Sequence, residues 1–327
     1  MKILICNSNM FVPIVLTTLL EHPDEEFIVY TDQDGMYQLF KKLNVPNSII
    51  LQYPQLKVIE TRKRKKYIIN QLRPYSIESI TFYHTEYGQF ANWLIGKFSK
   101  RIKIFFQPPY EPWALEPQHD LKAVNLQLKT YILYGYWSDI LLVGEKRYIS
   151  MASSFYKKNN VIRIEPIINS KLIAEYVNKI FHFEGSNRIV WLDGAVIAGG
   201  IDPIGYTSIT DSIIMKIGKE HFFSKCHPRF SDLYGVEKEL REIPSYIPIN
   251  ILLDSFDIFI GYWTTALVEA AKVGKIAIST INIMPQTQEG RIETERKVLD
   301  DKLQGKGEIF YPETKEELIV LLERYGY

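Results

Sequence analysis

The sequence predicts an α/β chain built from two doubly wound, Rossmann-like domains facing a central cleft. Three observations lead there. Short apolar runs rich in Ile, Val, Phe and Tyr alternate with helix-like stretches, the pattern of βαβ units around a parallel sheet. The alternation breaks near residue 185 and then restarts. At about 150 residues per domain, the 327 residues suffice for two domains, each with its own core.

In chain order, the first half offers strands at Lys2–Cys6, Phe27–Thr31, Ser79–His84, Lys103–Gln107 and Asp139–Val143, with helices such as Pro13–Glu21 and Phe90–Phe98 between them. Glu165-Pro166 closes a further strand, a helical segment follows, and FEGSNR around Gly185 reads as a polar linker. The domains are therefore placed at 1–185 and 186–327. The second half restarts with strands at Arg188–Leu192, Phe222–Lys225, Ile258–Gly261, Ile276–Ser279 and Glu308–Tyr311. The closing stretch TKEELIVLLERY has apolar residues at helical spacing and a Thr-x-x-Glu start at Thr314 and Glu317, so it reads as a capped helix packed on a domain, the first one included.

Composition excludes several classes. A net charge of +1 with 46% hydrophobic and 24% charged residues gives no global attraction for nucleic acid. Cys6 and Cys226 are too few for a disulfide framework and lack zinc-site spacing, which points to a reducing cytoplasm. The apolar run before Asn7 is too short for a signal-peptide core, and Phe11–Leu20 is about half a membrane span. The run Arg62–Lys66, RKRKK, fits either a solvated helix face or a local site for an anionic membrane or acceptor, and with the latter comes peripheral contact at the inner face of the cytoplasmic membrane.

Ligands of open α/β sheets sit beyond the carboxyl ends of the strands, and three strand ends of the second half carry reactive residues. Asp193-Gly194 follows the strand ending at Leu192; it fits a general base followed by a tight turn, or the turn alone. Lys225-Cys226-His227-Pro228-Arg229 follows the next strand. Pro228 holds its predecessor extended, and an imidazole flanked by Lys225 and Arg229 suits phosphate binding with acid catalysis; a structural turn and, less readily, a metal site remain as alternatives. Thr264 and Thr265 open the helix after Ile258–Gly261, either as a phosphate cradle of hydroxyls and backbone N–H groups or as an ordinary cap. Together the three suit transfer from an activated nucleotide donor.

The order Asp193-Gly194, His227-Pro228, Thr264-Thr265 resembles the acidic-acidic-Gly, His-Pro and paired Ser/Thr motifs of bacterial CMP-sialic acid-dependent sialyltransferases of the GT-B fold, in particular the lipooligosaccharide sialyltransferase and capsular polysialyltransferase families. The likeness covers roughly residues 188–280, including the connection IPSYIPINILLDSFDIFIGYWTTALVEA. It departs at the first acidic position, which is Leu192 here, so Asp202 and Glu86 stand in reserve as bases.

The resemblance implies a GT-B enzyme whose second domain binds CMP-sialic acid and whose first domain serves a glycan acceptor. It implies inverting transfer, with Asp193 as base, His227 as acid, and Gly194, Lys225, Pro228, Arg229, Thr264 and Thr265 around the donor. No cofactor and no metal are expected, because CMP leaves with one phosphate, which a histidine, hydroxyls and backbone N–H groups can neutralise without a divalent ion. Two other readings stay open: a GT-B enzyme using a different nucleotide sugar, and a non-catalytic binding protein of the same fold.

Overall fold

The computed structural model describes residues 1–7, 9–53, 61–84, 102–106, 138–142, 161–163, 167–183, 188–192, 200–227, 235–285 and 291–327. The expected helix Phe90–Phe98, the aromatic segments 85–93 and 107–120 with Glu86, and the linker residues 184–187 lie outside them. Contacts divide the chain into two compact units, Met1–Ile173 and Ala174–Tyr327.

In the first unit, β1 (Lys2–Cys6), β2 (Phe27–Thr31), β3 (Ser48–Gln52), β4 (Ser79–His84), β5 (Ile102–Phe106), β6 (Ser138–Leu142) and β7 (Val161–Arg163) form one sheet in the order β3-β2-β1-β4-β5-β6-β7. Every pairing is parallel. A parallel sheet is covered on both faces, so its strands are apolar without alternation; Ile3–Cys6 and all of β2 are buried.

Helix α1 (Val12–Glu21) follows β1, with Pro13 in its first turn. Helix α2 (Asp34–Leu43) buries Met36, Leu39, Phe40 and Leu43, the i, i+3, i+4, i+7 stripe that faces a core. It ends at Asn44, whose left-handed backbone (φ 47°) turns its N–H back to the Phe40 carbonyl. Helix α3 (Thr61–Leu72) carries the basic run, with Lys63 and Lys66 exposed. Helix α4 (Ser170–Phe181), the segment expected after Pro166, spans the division, and its residues from Ala174 on belong to the second unit.

The second unit has a six-stranded parallel sheet of β8 (Ile189–Leu192), β9 (Phe222–Lys225), β10 (Arg241–Glu242), β11 (Ile258–Gly261), β12 (Ile276–Ser279) and β13 (Ile309–Phe310). Its order, β10-β9-β8-β11-β12-β13, is 3-2-1-4-5-6 in the unit's own count, the Rossmann arrangement. Its helices are α5 (Pro203–Ile217), α6 (Thr265–Lys272), α7 (Arg291–Leu303) and α8 (Lys315–Arg324).

Trp191, Phe222, Ile258, Ile260 and Ile278 of the strands pack with Ile213 and Ile214 of α5 and Leu318 and Leu322 of α8. The buried indole N–H of Trp191 donates to the Tyr206 hydroxyl of α5 at 2.9 Å, so the largest core side chain leaves no polar atom stranded. The closing helix is capped as its sequence suggests. Thr314 Oγ1 accepts from the Glu317 N–H at 3.1 Å, while the Glu317 carboxylate accepts from the Glu313 N–H at 2.7 Å.

Strands β1, β2, β4, β9, β11 and β12 coincide with the expected ranges; β5 and β6 begin one residue earlier than expected, and β13 is shorter at both ends. Strand β10 escaped the reading because both of its residues are charged and exposed, as befits a sheet edge protected from further pairing. Among the described residues, no helix is long and apolar enough to cross a membrane.

Gly307 adopts φ 78°, and a Cβ there would stand 2.1 Å from the Ala271 carbonyl oxygen. Gly307→Ala is expected to lower stability by about 1–3 kcal/mol, since neither the dihedral nor the space admits a methyl. A urea unfolding midpoint equal to that of the unsubstituted protein would overturn this close approach.

Candidate functional site

The carboxyl ends of four neighbouring strands form one row: Lys225 pairs with Leu192, Leu192 with Gly261, and Gly261 with Ser279. Adjacent strands are about 4.8 Å apart, so the loops leaving β9, β8 and β11 begin within about 10 Å of one another. The strand order reverses between β8 and β11, and such a switch point is where open α/β sheets bind ligands. Of the expected residues, Lys225, His227, Thr264 and Thr265 are described and belong to this edge. Asp193, Gly194, Pro228 and Arg229 lie outside the described residues; the chain enters Asp193 directly from Leu192, in the middle of the row.

The β11 loop is held from several sides. Gly261 sits where a Cβ would meet the Leu192 Cβ and the Thr264 Cγ2, each at 3.2 Å, so a side chain there would press β8 and the start of α6 apart by a few tenths of an ångström. The Thr280 N–H donates to the Gly261 carbonyl at 2.9 Å, and the Ser279 hydroxyl donates to the Tyr262 carbonyl at 2.6 Å. The Tyr262 hydroxyl, itself buried, donates to Glu295 of α7 at 2.8 Å. Between these anchors the Trp263 side chain is exposed.

Thr264 is the N-cap of α6: its backbone is extended, and its Oγ1 accepts from the Ala266 N–H at 3.3 Å. That bond uses an oxygen lone pair and leaves the hydroxyl proton to donate elsewhere. Thr265, the first helical residue, is exposed. Cap and cradle are therefore compatible at this helix start.

Asp202, the reserve base, has a structural task. It is the N-cap of α5, and its carboxylate accepts from the Ile204 N–H at 3.3 Å and the Gly205 N–H at 2.9 Å. Its own N–H donates to the Pro285 carbonyl, and Gly205 fits closely beneath Pro285. The Asp-Pro pair at positions 202–203 was a readable sign of this cap. Glu295 left no comparable sign, because its helix is largely polar and only the fold brings it beneath Tyr262.

On the β9 side, His227 is half-buried and follows the buried, unoxidised Cys226. Lys225 is only 5% exposed, and its ammonium makes one long hydrogen bond among the described residues, 3.4 Å to the Ser245 carbonyl. Burial pushes its pKa down to about 8, against the smaller upward pull of Cys226 and Glu242.

No protein-family model matches the chain, and no curated protein sequence does. Among solved structures it is similar to the UDP-GlcNAc 2-epimerase of Methanocaldococcus jannaschii, with a TM-score of 0.51 and 14% identity over 99% of this chain and 92% of that one. It is also similar to the wall teichoic acid polymerase TagF, solved as a histidine-to-asparagine variant soaked with CDPG, with a TM-score of 0.53 and 9% identity over 98% of this chain and 79% of that one. Likeness at this identity is a likeness of fold, and it extends over both Rossmann-like units: the chain has the GT-B fold.

The buried Lys225 gives a signed pH effect. Its folded pKa lies below the ordinary lysine value, so between about pH 8 and 10.5 the unfolded chain holds a proton that the folded one has lost, and this residue's contribution to stability rises with pH. Lys225→Met should accordingly stabilise the protein at pH 7 by about 1–3 kcal/mol and by much less at pH 10. Urea unfolding at the two pH values measures the difference; an equal effect at both would remove the burial argument.

Proposed function

We propose that this chain is a metal-independent, inverting glycosyltransferase that moves a sialic acid, or a related nonulosonic acid, from its CMP-linked form to a hydroxyl of a glycan acceptor. The acceptor fits surface polysaccharide or lipooligosaccharide synthesis at the inner face of the cytoplasmic membrane. The observation that supports it is the row of strand ends at the switch point, which puts the His227 loop and the Thr264-Thr265 helix start on either side of the strand leading to Asp193.

On this reading the Asp193 carboxylate takes the proton of the acceptor hydroxyl as its oxygen attacks the anomeric carbon of the donor sugar. The bond from that carbon to the phosphate oxygen breaks, and CMP leaves. His227 donates to the departing phosphate, with the hydroxyls and N–H groups at the α6 start holding its remaining oxygens. Lys225, Arg229, Gly194 and Pro228 shape and charge the same corner.

Helix α5 favours a donor with one phosphate. In dinucleotide-binding Rossmann domains the first helix N-terminus receives a pyrophosphate. Here Asp202 fills that position with a carboxylate and Pro203 follows it, so an anion there meets negative charge. The α6 start is capped by a neutral hydroxyl instead. A second reading, conversion of a diphosphate-linked sugar, has the similarity to an enzyme named for UDP-GlcNAc in its favour.

The test is CMP release from CMP-sialic acid by the purified protein in EDTA, with galactose-terminated acceptors. His227→Ala and Asp193→Asn should each lose on the order of a hundredfold or more in rate, whereas Asp202→Asn should stay close to the unsubstituted rate. A hundredfold loss in Asp202→Asn with Asp193→Asn active would move the base to Asp202. Intact CMP-sialic acid across the acceptors, no CMP binding by calorimetry, and consumption of UDP-GlcNAc would replace the proposal with the second reading.

A further inference from the structure

The first unit carries a feature that the transfer chemistry does not use. Helix α3 reads TRKRKKYIINQL: five consecutive cations and no acidic residue in twelve positions. The whole chain carries 39 basic and 38 acidic residues, so this is a local concentration within a balanced molecule.

The helix is fixed by its C-terminal half. Ile68 and Leu72 are buried. Gln71 accepts from the Tyr30 hydroxyl at 2.5 Å and donates to the Gln52 carbonyl at 3.1 Å, tying α3 to β2 and β3. Its outward residues mix two chemistries. Lys63 and Lys66 are exposed, and beside them Tyr67 and Ile69 are exposed at 44% and 38%.

We infer that α3 is a docking surface for an anionic lipid bilayer. The exposed Lys63 and Lys66 answer the phosphates of the headgroups, each cation near an anionic surface adding attraction that salt screens. Tyr67 and Ile69 are what distinguish lipid from a soluble polyanion. A glycan or nucleic acid polymer needs only the cations, whereas a bilayer also receives an aromatic ring and an aliphatic chain at the headgroup boundary. Among the described residues no helix is long and apolar enough to cross a bilayer, so attachment through α3 is peripheral and reversible.

Sedimentation of the full chain with vesicles reads this without any donor or acceptor, so its result is independent of the transferase proposal. Vesicles with about one-third phosphatidylglycerol should carry the protein down at low salt, and pure phosphatidylcholine vesicles should not. Lys63→Glu with Lys66→Glu should reduce partitioning about tenfold or more, and Tyr67→Ser with Ile69→Ser severalfold, with circular dichroism unchanged in both. Equal partitioning of the charge-reversed variant overturns the inference. So does binding to a soluble polyphosphate without binding to vesicles, which would make α3 a polyanion site instead.

Discussion

The register of the second sheet is the constraint on which the candidate site rests. Lys225, Leu192, Gly261 and Ser279 are brought level by ladder hydrogen bonds alone, and a slip of one residue would turn each side chain to the opposite face. From β8 the crossover runs outward to β9, and from β11 it runs the other way to β12. Right-handed crossovers in opposite directions send α5 and α6 to opposite faces of the sheet. Their N-termini thus open toward one crevice from its two sides, and they do so with different electrostatics: a carboxylate cap on α5, a hydroxyl cap on α6. The two helix starts therefore bring opposite polarity to the edge.

Much of the fold was legible because a parallel sheet buried on both faces leaves an unambiguous trace. IVWL, IFIG and IAIS are short and apolar or nearly so, FFSK opens on two aromatic residues, and they became β8, β11, β12 and β9 respectively. Strand β10 left no trace, since a two-residue edge strand is stabilised by its neighbour and not by an apolar pattern: the Arg241 guanidinium lies 3.9 Å from the centre of the Phe223 ring, and Arg241 also donates to the Glu220 carbonyl. Candidate chemistry was legible where a reactive residue type stood just past an apolar run, as with His227 and Thr264. The supports were not. Nothing in ILLDSFDIFIGYW announces that Tyr262 will be held by Ser279, 17 positions on, and by Glu295, 33 positions on.

These supports explain why the edge can hold a defined geometry. Trp263 is exposed, yet Tyr262 before it is pinned by two hydrogen bonds and Thr264 after it is fixed as a cap. A loop so restrained loses little further conformational entropy when a ligand arrives, which is the advantage of preorganisation. The arrangement has a stability cost, because Lys225 is buried with, among the described residues, a single long hydrogen bond where an apolar side chain would pack freely. A costly polar group kept at a candidate site is the usual form of the trade between stability and function.

The same reasoning separates Asp193 from Asp202 as candidate bases. The Asp202 carboxylate is engaged by two backbone N–H bonds that hold the first turn of α5, and turning it toward a substrate hydroxyl would undo that cap. A general base must come within hydrogen-bond reach of the proton it abstracts, so a carboxylate committed to a cap is poorly placed for that role. Asp202 also lies past the segment 193–199, whereas Asp193 leaves β8 at the switch point itself. On the proposed reading, the acidic residue that the resemblance would place at Leu192 could not face the crevice as readily. Leu192 is the last residue of β8, 5% exposed, with its Cβ against the space above Gly261, so a carboxylate there would lose hydration in a place that packs β8 against α6. The departure from the family pattern at Leu192 is thus consistent with a base one residue further on.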